Sequence, residues 1–205
     1  MEPLAINQTL LSAWSYTYDC REGQEEDAKA AFLCTLNREP MAPTDAMQKG
    51  LEFERYVYAR VAGAYELSPP AWERGIRAVA TRLMGTQTQV YARRRIKVDG
   101  ITFQLSGIMD AIRAGVIYDV KFSTHSFDSA DLAGKYLNSP QHPAYFYLLP
   151  EANSFEYLVS DGSDLYREVY YREDVRYIGD IISEFIVSLK EQQLWDTYEK
   201  HWRVR

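Results

Sequence analysis

Asp110, Asp119 and Lys121 stand within Gly107–Ser123, a stretch otherwise apolar enough to form two buried strands. Burying an ion costs several kcal/mol unless something offsets it. With a two-residue loop at Ala114-Gly115, in which glycine supplies a positive φ, the register follows by counting. Arg113 faces Val116, Ile112 faces Ile117 and Asp110 faces Asp119, with Ile108 and Lys121 further along the same surface. Met109, Ala111, Tyr118, Val120 and Phe122 share the opposite surface, so both faces read as covered. Two carboxylates about 5 Å apart at Cβ destabilise each other. Lys121 offsets one of them, and a divalent hard cation, which takes oxygen ligands, would offset the other. A salt bridge from Lys121 to one aspartate, with the other turned to solvent at a strand end, is the alternative that geometry leaves open.

A third acid adds to the cluster. In MQKGLEFERYVYARV, Met47, Leu51, Glu54, Tyr58 and Val61 fall on one stripe at helical spacing. Glu54 is its centre. A carboxylate on a core-facing stripe calls for a partner: a buried arginine, a tyrosine hydroxyl, or the cation held by the hairpin. Glu52 points elsewhere.

The elements that must position these residues can be traced along the chain. Residues 7–20 and 22–38 predict two helices split at Arg21-Glu22-Gly23 and stopped by Glu39-Pro40-Met41-Ala42-Pro43. Thr44 caps a helix to about Ala62, and another starts after Ser68-Pro69-Pro70 and ends near Gly85. From Gln87 the apolar period becomes two: a strand to Val98, an Asp99-Gly100 turn, a strand to about Ile112 and a third from about Val116 to Phe122. Ser139 and Pro140 start a helix to Leu149, and 154–160 and 165–171 read as a strand pair. One long amphipathic helix is expected over about 174–200. The expected fold is α/β of the α+β kind, a central mixed sheet of about five strands flanked by helices. It forms a single domain: an N-terminal helical segment over 1–43, a core over 44–172 and a C-terminal helix over 173–205.

The pattern Gly50-x-x-x-Glu54 on a helix, Asp110 in a strand, Asp119-x-Lys121 in the next and Gln141-x-x-x-Tyr145 on the following helix resembles the PD-(D/E)xK nuclease superfamily. Order and spacing are most similar to its RecB-like and lambda-exonuclease-like branches, over about residues 44–149. The resemblance implies a restriction-endonuclease-like core and metal-dependent hydrolysis of DNA phosphodiesters. Glu54, Asp110 and Asp119 would hold Mg²⁺, with Mn²⁺ as substitute. Lys121 would orient and help deprotonate the attacking water, and Gln141 and Tyr145 would position substrate. Met109 stands where the superfamily often has proline. An exonuclease or DNA-end-processing enzyme of recombination, repair or phage DNA metabolism is the implied reading. A structure-specific endonuclease, or an inactive nucleic-acid- or protein-binding module, is the rival. A ring-forming homo-oligomer or a recombination partner protein is implied by the same analogy.

Composition constrains the alternatives. At 205 residues, 46% hydrophobic and 25% charged, the chain suits one soluble domain. No apolar run is long enough for a membrane span and no basic leader is evident, so the expectation is a cytoplasmic protein with no membrane contact. Ser12–Cys20 faintly resembles the N-terminal segment of iron–sulfur members, but no cysteine follows Cys34, so no iron–sulfur cluster is expected. The cysteines read as free thiols. His125, His142 and His201 lack zinc-ligand spacing, and His125 reads as a surface-loop residue. The net charge of −6 confines any phosphate contact to a local patch such as Arg93-Arg94-Arg95, whose outer two members share a strand face opposite the middle one. A solvated edge explains that run equally well. The sixteen tyrosines read chiefly as core residues with tethered hydroxyls. The 128–135 segment is expected to shape substrate entry.

Overall fold

The computed structural model describes residues 2–64, 67–127 and 132–204. Six strands form one mixed sheet: β1 (Leu4–Asn7), β2 (Gln87–Val98), β3 (Ile101–Arg113), β4 (Val116–Phe122), β5 (Ser154–Ser160) and β6 (Leu165–Tyr171). Their order is β1-β3-β4-β5-β6, with β2 on the other edge of β3. Both tight turns have positive φ at each central residue, 50° and 81° at Asp99-Gly100 and 49° and 80° at Ala114-Gly115. That geometry matches the twist of the strands it joins. The β4–β5 and β1–β3 pairs are parallel and the others antiparallel.

One side of β3 is shared by two partners. β4 pairs with it at Arg113–Val116, Ile112–Ile117 and Ala111–Tyr118. β1 pairs with Phe103 through Ser106. Between the two ladders, residues 107–110 have no strand partner on that side among the described residues. The expected register therefore holds for its first pairs and stops one short of Asp110 and Asp119. Ile108 does not lie against Lys121; it is 51% exposed. Met109 packs in the same cluster as Ile117, whereas Ala111 packs with Tyr118, so the strand changes side across Asp110. The cause lies in β2: Gln89 sits between the Thr88–Ala111 and Val90–Met109 pairs, opposite Asp110, with a left-handed φ of 54°.

Seven helices flank the sheet among the described residues. On one face lie α1 (Gln8–Asp19), α2 (Glu25–Asn37), α5 (Gln141–Leu148), α6 (Ile178–Glu191) and α7 (Trp195–His201). They contribute Leu10, Phe32, Tyr145, Phe185 and Tyr198 to the larger core, over Phe103, Leu105 and Phe155 of the sheet. On the other face α3 (Asp45–Val61) and α4 (Glu73–Leu83) set Phe53, Val57, Ile76 and Val79 against Ala111, Val120 and Leu158. Each fully buried side chain of this size contributes about 1.5–3 kcal/mol. The architecture is the mixed α/β layer expected, consistent with a restriction-endonuclease-like core.

Four local expectations are corrected. The expected C-terminal helix breaks at Gln193, where φ is 57°, because Tyr198 and Trp202 turn back into the core and no glycine or proline marks the corner. No strand was expected before the helix placed from residue 7; instead Asn7 ends β1 and caps α1, its Oδ1 accepting from Leu10 N at 2.8 Å. A short 3-10 turn, Pro70–Trp72, precedes α4. In α3, capped as expected by Thr44, the core-facing residues are Phe53 and Val57, while Met47 and Leu51 are 49% and 63% exposed. Glu54 and Tyr58 therefore flank the buried stripe. Residues 128–131 of the expected entry segment lie outside the described residues.

Candidate active site

The break between the β1 and β4 ladders gathers the charged residues. β4 leaves β3 after Tyr118, and the Asp110 side chain replaces the lost main-chain acceptor: Val120 N donates to its Oδ2 at 2.9 Å. An aspartate at this position thus both completes the backbone and brings its charge beside Asp119. Asp119 is 2% exposed. Gln141 Nε2, from the first turn of α5, donates to its Oδ1. Lys121 Nζ lies 2.6 Å from Oδ2 but outside hydrogen-bonding alignment, so Oδ2 is buried with an ion-pair contact and no hydrogen bond. Lys121 keeps 36% of its side chain in solvent and marks the open side of the cluster.

Electrostatics follow from that crowding. Burial, then the charge of Asp119, pushes the Asp110 carboxyl up to about 8. Burial also raises Glu54, with the Asp119 charge adding to it and Lys121 opposing. Burial acts to lower Lys121, but the Asp119 and Asp110 carboxylates outweigh it and hold the ammonium above the ordinary lysine range. The cluster binds positive charge and resists a full set of ionised carboxylates, the property that suits a cation site.

Tyr145 sits on the same face of α5 as Gln141 but serves the backbone. Its hydroxyl donates to Ile108 O at 2.5 Å, satisfying a carbonyl in the unpaired stretch of β3. Glycine at 107 permits that approach, since a Cβ there would lie 2.5 Å from Tyr145 Cε1. Sequence reasoning missed Tyr58, Tyr136 and Gln89. Tyr58 has a buried hydroxyl without a hydrogen-bond partner, lies beside Gln89 and feels the charges of Asp110 and Glu54. Tyr136 stacks on Tyr157 at 4.1 Å and is raised to about 12 by burial, with Lys121 and Asp119 as its charged neighbours. Tyr58 shared the stripe of Glu54, the one signal that could have found it; Gln89 and Tyr136 gave none. His142, also unassigned, is buried, held by Tyr157 and Tyr170 and lowered by burial to about 4. His125 is exposed.

The donor set suits a hard divalent ion in chemistry: the carboxylate oxygens of Asp110 and Asp119, one of them buried and without a hydrogen bond, with Glu54 near enough to shift with their charge. Among the described residues, no three His, Cys, Asp or Glu side chains form a closed metal cage. The arrangement is therefore an aspartate pair with an open side. Cys20 and Cys34 are free. No helix of the described residues is long and apolar enough to cross a membrane.

No family model matches the sequence, and no curated protein does. Among solved structures, SSO0001 is 16% identical with a TM-score of 0.55, covering 93% of this chain and 78% of that chain. LHK-Exo, crystallised in complex with dAMP, is 15% identical with a TM-score of 0.47, covering 95% and 90%. Rai1 of Scheffersomyces stipitis is 13% identical with a TM-score of 0.41, covering 91% and 61%. The class these findings define is one of fold, carried by the likeness to SSO0001.

Proposed function

We propose that the chain is a metal-dependent nuclease that hydrolyses DNA phosphodiester bonds, acting as an exonuclease or DNA-end-processing enzyme. One observation carries the reading: Asp110 and Asp119 converge where β3 and β4 part, with Lys121 beside them on the open side. Asp110 and Asp119 would hold Mg²⁺, or Mn²⁺ in its place, with Glu54 joining through water. When bound, the cation lowers the pKa of water and neutralises phosphate charge.

The chain's own groups do the rest. Gln141 fixes the rotamer of Asp119 by donating to Oδ1, which leaves Oδ2 buried beside Lys121 and without a hydrogen bond of its own. Lys121, held protonated by its carboxylate neighbours, swings from Asp119 to the attacked phosphate and stabilises charge developing on its oxygens. Glu54, raised by burial, would accept a proton from the attacking water. Tyr145 keeps the unpaired segment of β3 in position.

Linear duplex, single-stranded and closed-circular DNA, each with Mg²⁺, Mn²⁺ or chelator, test the reading. Metal-dependent loss of linear DNA with circles spared is expected. Nicking or linearisation of circles would replace the exonuclease by an endonuclease, and survival of every substrate would remove the nuclease reading.

A further inference from the structure

We infer that the outward face of β2 is a track for a single nucleic-acid strand, running from the aspartate site over Tyr91 and Ile108 to Arg93 and Arg95. This inference rests on the nuclease reading and adds where the substrate lies. Strand alternation puts Tyr91, Arg93 and Arg95 on one face of β2, and Gln89, at the break in that alternation, reaches Tyr58 of α3. The register sets them in order beside β3: Gln89 opposite Asp110, Tyr91 opposite Ile108, Arg93 opposite Ser106 and Arg95 opposite Gln104. At about 3.3 Å per residue, Arg93 and Arg95 lie about 13 and 20 Å along the strand from Asp110.

That face is open. Tyr91 and Ile108 are 58% and 51% exposed, and both arginines are exposed. No carboxylate pairs with either arginine among the described residues, and Ser106 and Gln104 across from them are neutral. In a chain of net charge −6, two unpaired guanidinium groups and an exposed ring in one line form a local reversal of sign. Their neighbour is used differently: Arg94 stacks over Tyr147 at 4.9 Å and donates to its carbonyl at 3.1 Å, and the Tyr147 hydroxyl donates to Arg95 O at 2.6 Å. These contacts clamp the inner face of β2 to α5 and leave the outer face free.

The chemistry fits one occupant. Arginines at alternate positions along a strand suit successive phosphates, and an exposed tyrosine beside an isoleucine gives a base or sugar a stacking surface. The track begins at Gln89, next to Tyr58 and opposite Asp110, so a strand laid on it enters the site from the side of α3.

The test is fluorescence anisotropy of a labelled oligothymidylate about 20 nucleotides long, titrated in chelator at several salt concentrations. The double variant Arg93→Ala/Arg95→Ala should bind roughly tenfold more weakly at low salt. Its plot of log affinity against log salt should be shallower by about 1.4, the loss of two phosphate contacts. Arg93→Lys/Arg95→Lys should restore most of the slope, which a purely structural role would not do. Arg94→Ala should leave the slope as it is. Equal affinity and slope in the double alanine variant and the parent would overturn the track. The two readings separate: arginine-dependent binding without cleavage keeps the track and removes the nuclease, whereas metal-dependent cleavage with unchanged binding in the variant does the reverse.

Discussion

At the scale of single residues, the cluster holds because each charge has a separate stabilising contact: Asp110 the Val120 amide, Asp119 the Gln141 amide, Lys121 the Asp119 carboxylate. Asp110, pushed up to about 8, should make the metal-free protein lose stability as pH rises from about 4 through about 8. The sign follows from a folded pKa above the unfolded one: the folded state binds the extra proton, and raising pH removes it. Asp110→Asn keeps an acceptor for Val120 N and drops the charge. In chelator at pH 9 it should be more stable than the parent by about 1–3 kcal/mol, read from melting, while losing all cleavage. Equal pH profiles for the two proteins would show that Asp110 is not held protonated. For Lys121→Met, cleavage should fall by about 10²–10³-fold. With Mg²⁺ present to offset the buried Asp119 charge, its stability should change by about 1 kcal/mol or less, since Lys121 itself is partly open to solvent. A large melting loss that Mg²⁺ does not diminish would assign Lys121 to folding instead.

At the scale of elements, α5 is the part that ties the site to the sheet. Gly107→Ala would drive a Cβ into the Tyr145 ring, and overpacking of this kind costs about 1–3 kcal/mol. Tyr145→Leu in the same chain should return part of it; an unchanged melting temperature in the single variant would mean the approach is loose. His142 is lowered by burial to about 4, so its share of stability is present above about 6.5 and is lost as pH falls through 4. Acid unfolding over that window should be shallower in His142→Phe than in the parent. Strands β2 to β6, the turns at Asp99-Gly100 and Ala114-Gly115 and the Thr44 cap were legible because each follows from local chemistry: period-two patterning, turn residues with positive φ, a hydroxyl one residue before the helix. The side change at Asp110 was not, because it depends on a left-handed Gln89 in the neighbouring strand and on β1 returning to β3 from a distant part of the chain. The break at Gln193 was hidden for a related reason: tertiary packing of Tyr198 and Trp202 turns the chain there without a local breaker.

Across the whole molecule, the sheet's two layers meet solvent where β1 and β4 part company on β3, and the candidate chemistry sits at that junction. Asp110, Asp119, Lys121 and Glu54 were legible because ions in apolar patterns need an explanation. Tyr58 and Gln89 were not, because neither a tyrosine beside a buried stripe nor a glutamine in a strand does. The acidic balance of the chain and the cationic strip on β2 are compatible, since phosphate contact needs local rather than total charge. The measurement that bears most directly on the account is the rate of Mg²⁺-dependent cleavage of end-labelled linear DNA by the parent and by Asp119→Asn, with melting curves of both. The account predicts a loss of at least about 10³-fold with the fold retained. Equal rates in the two proteins would contradict it.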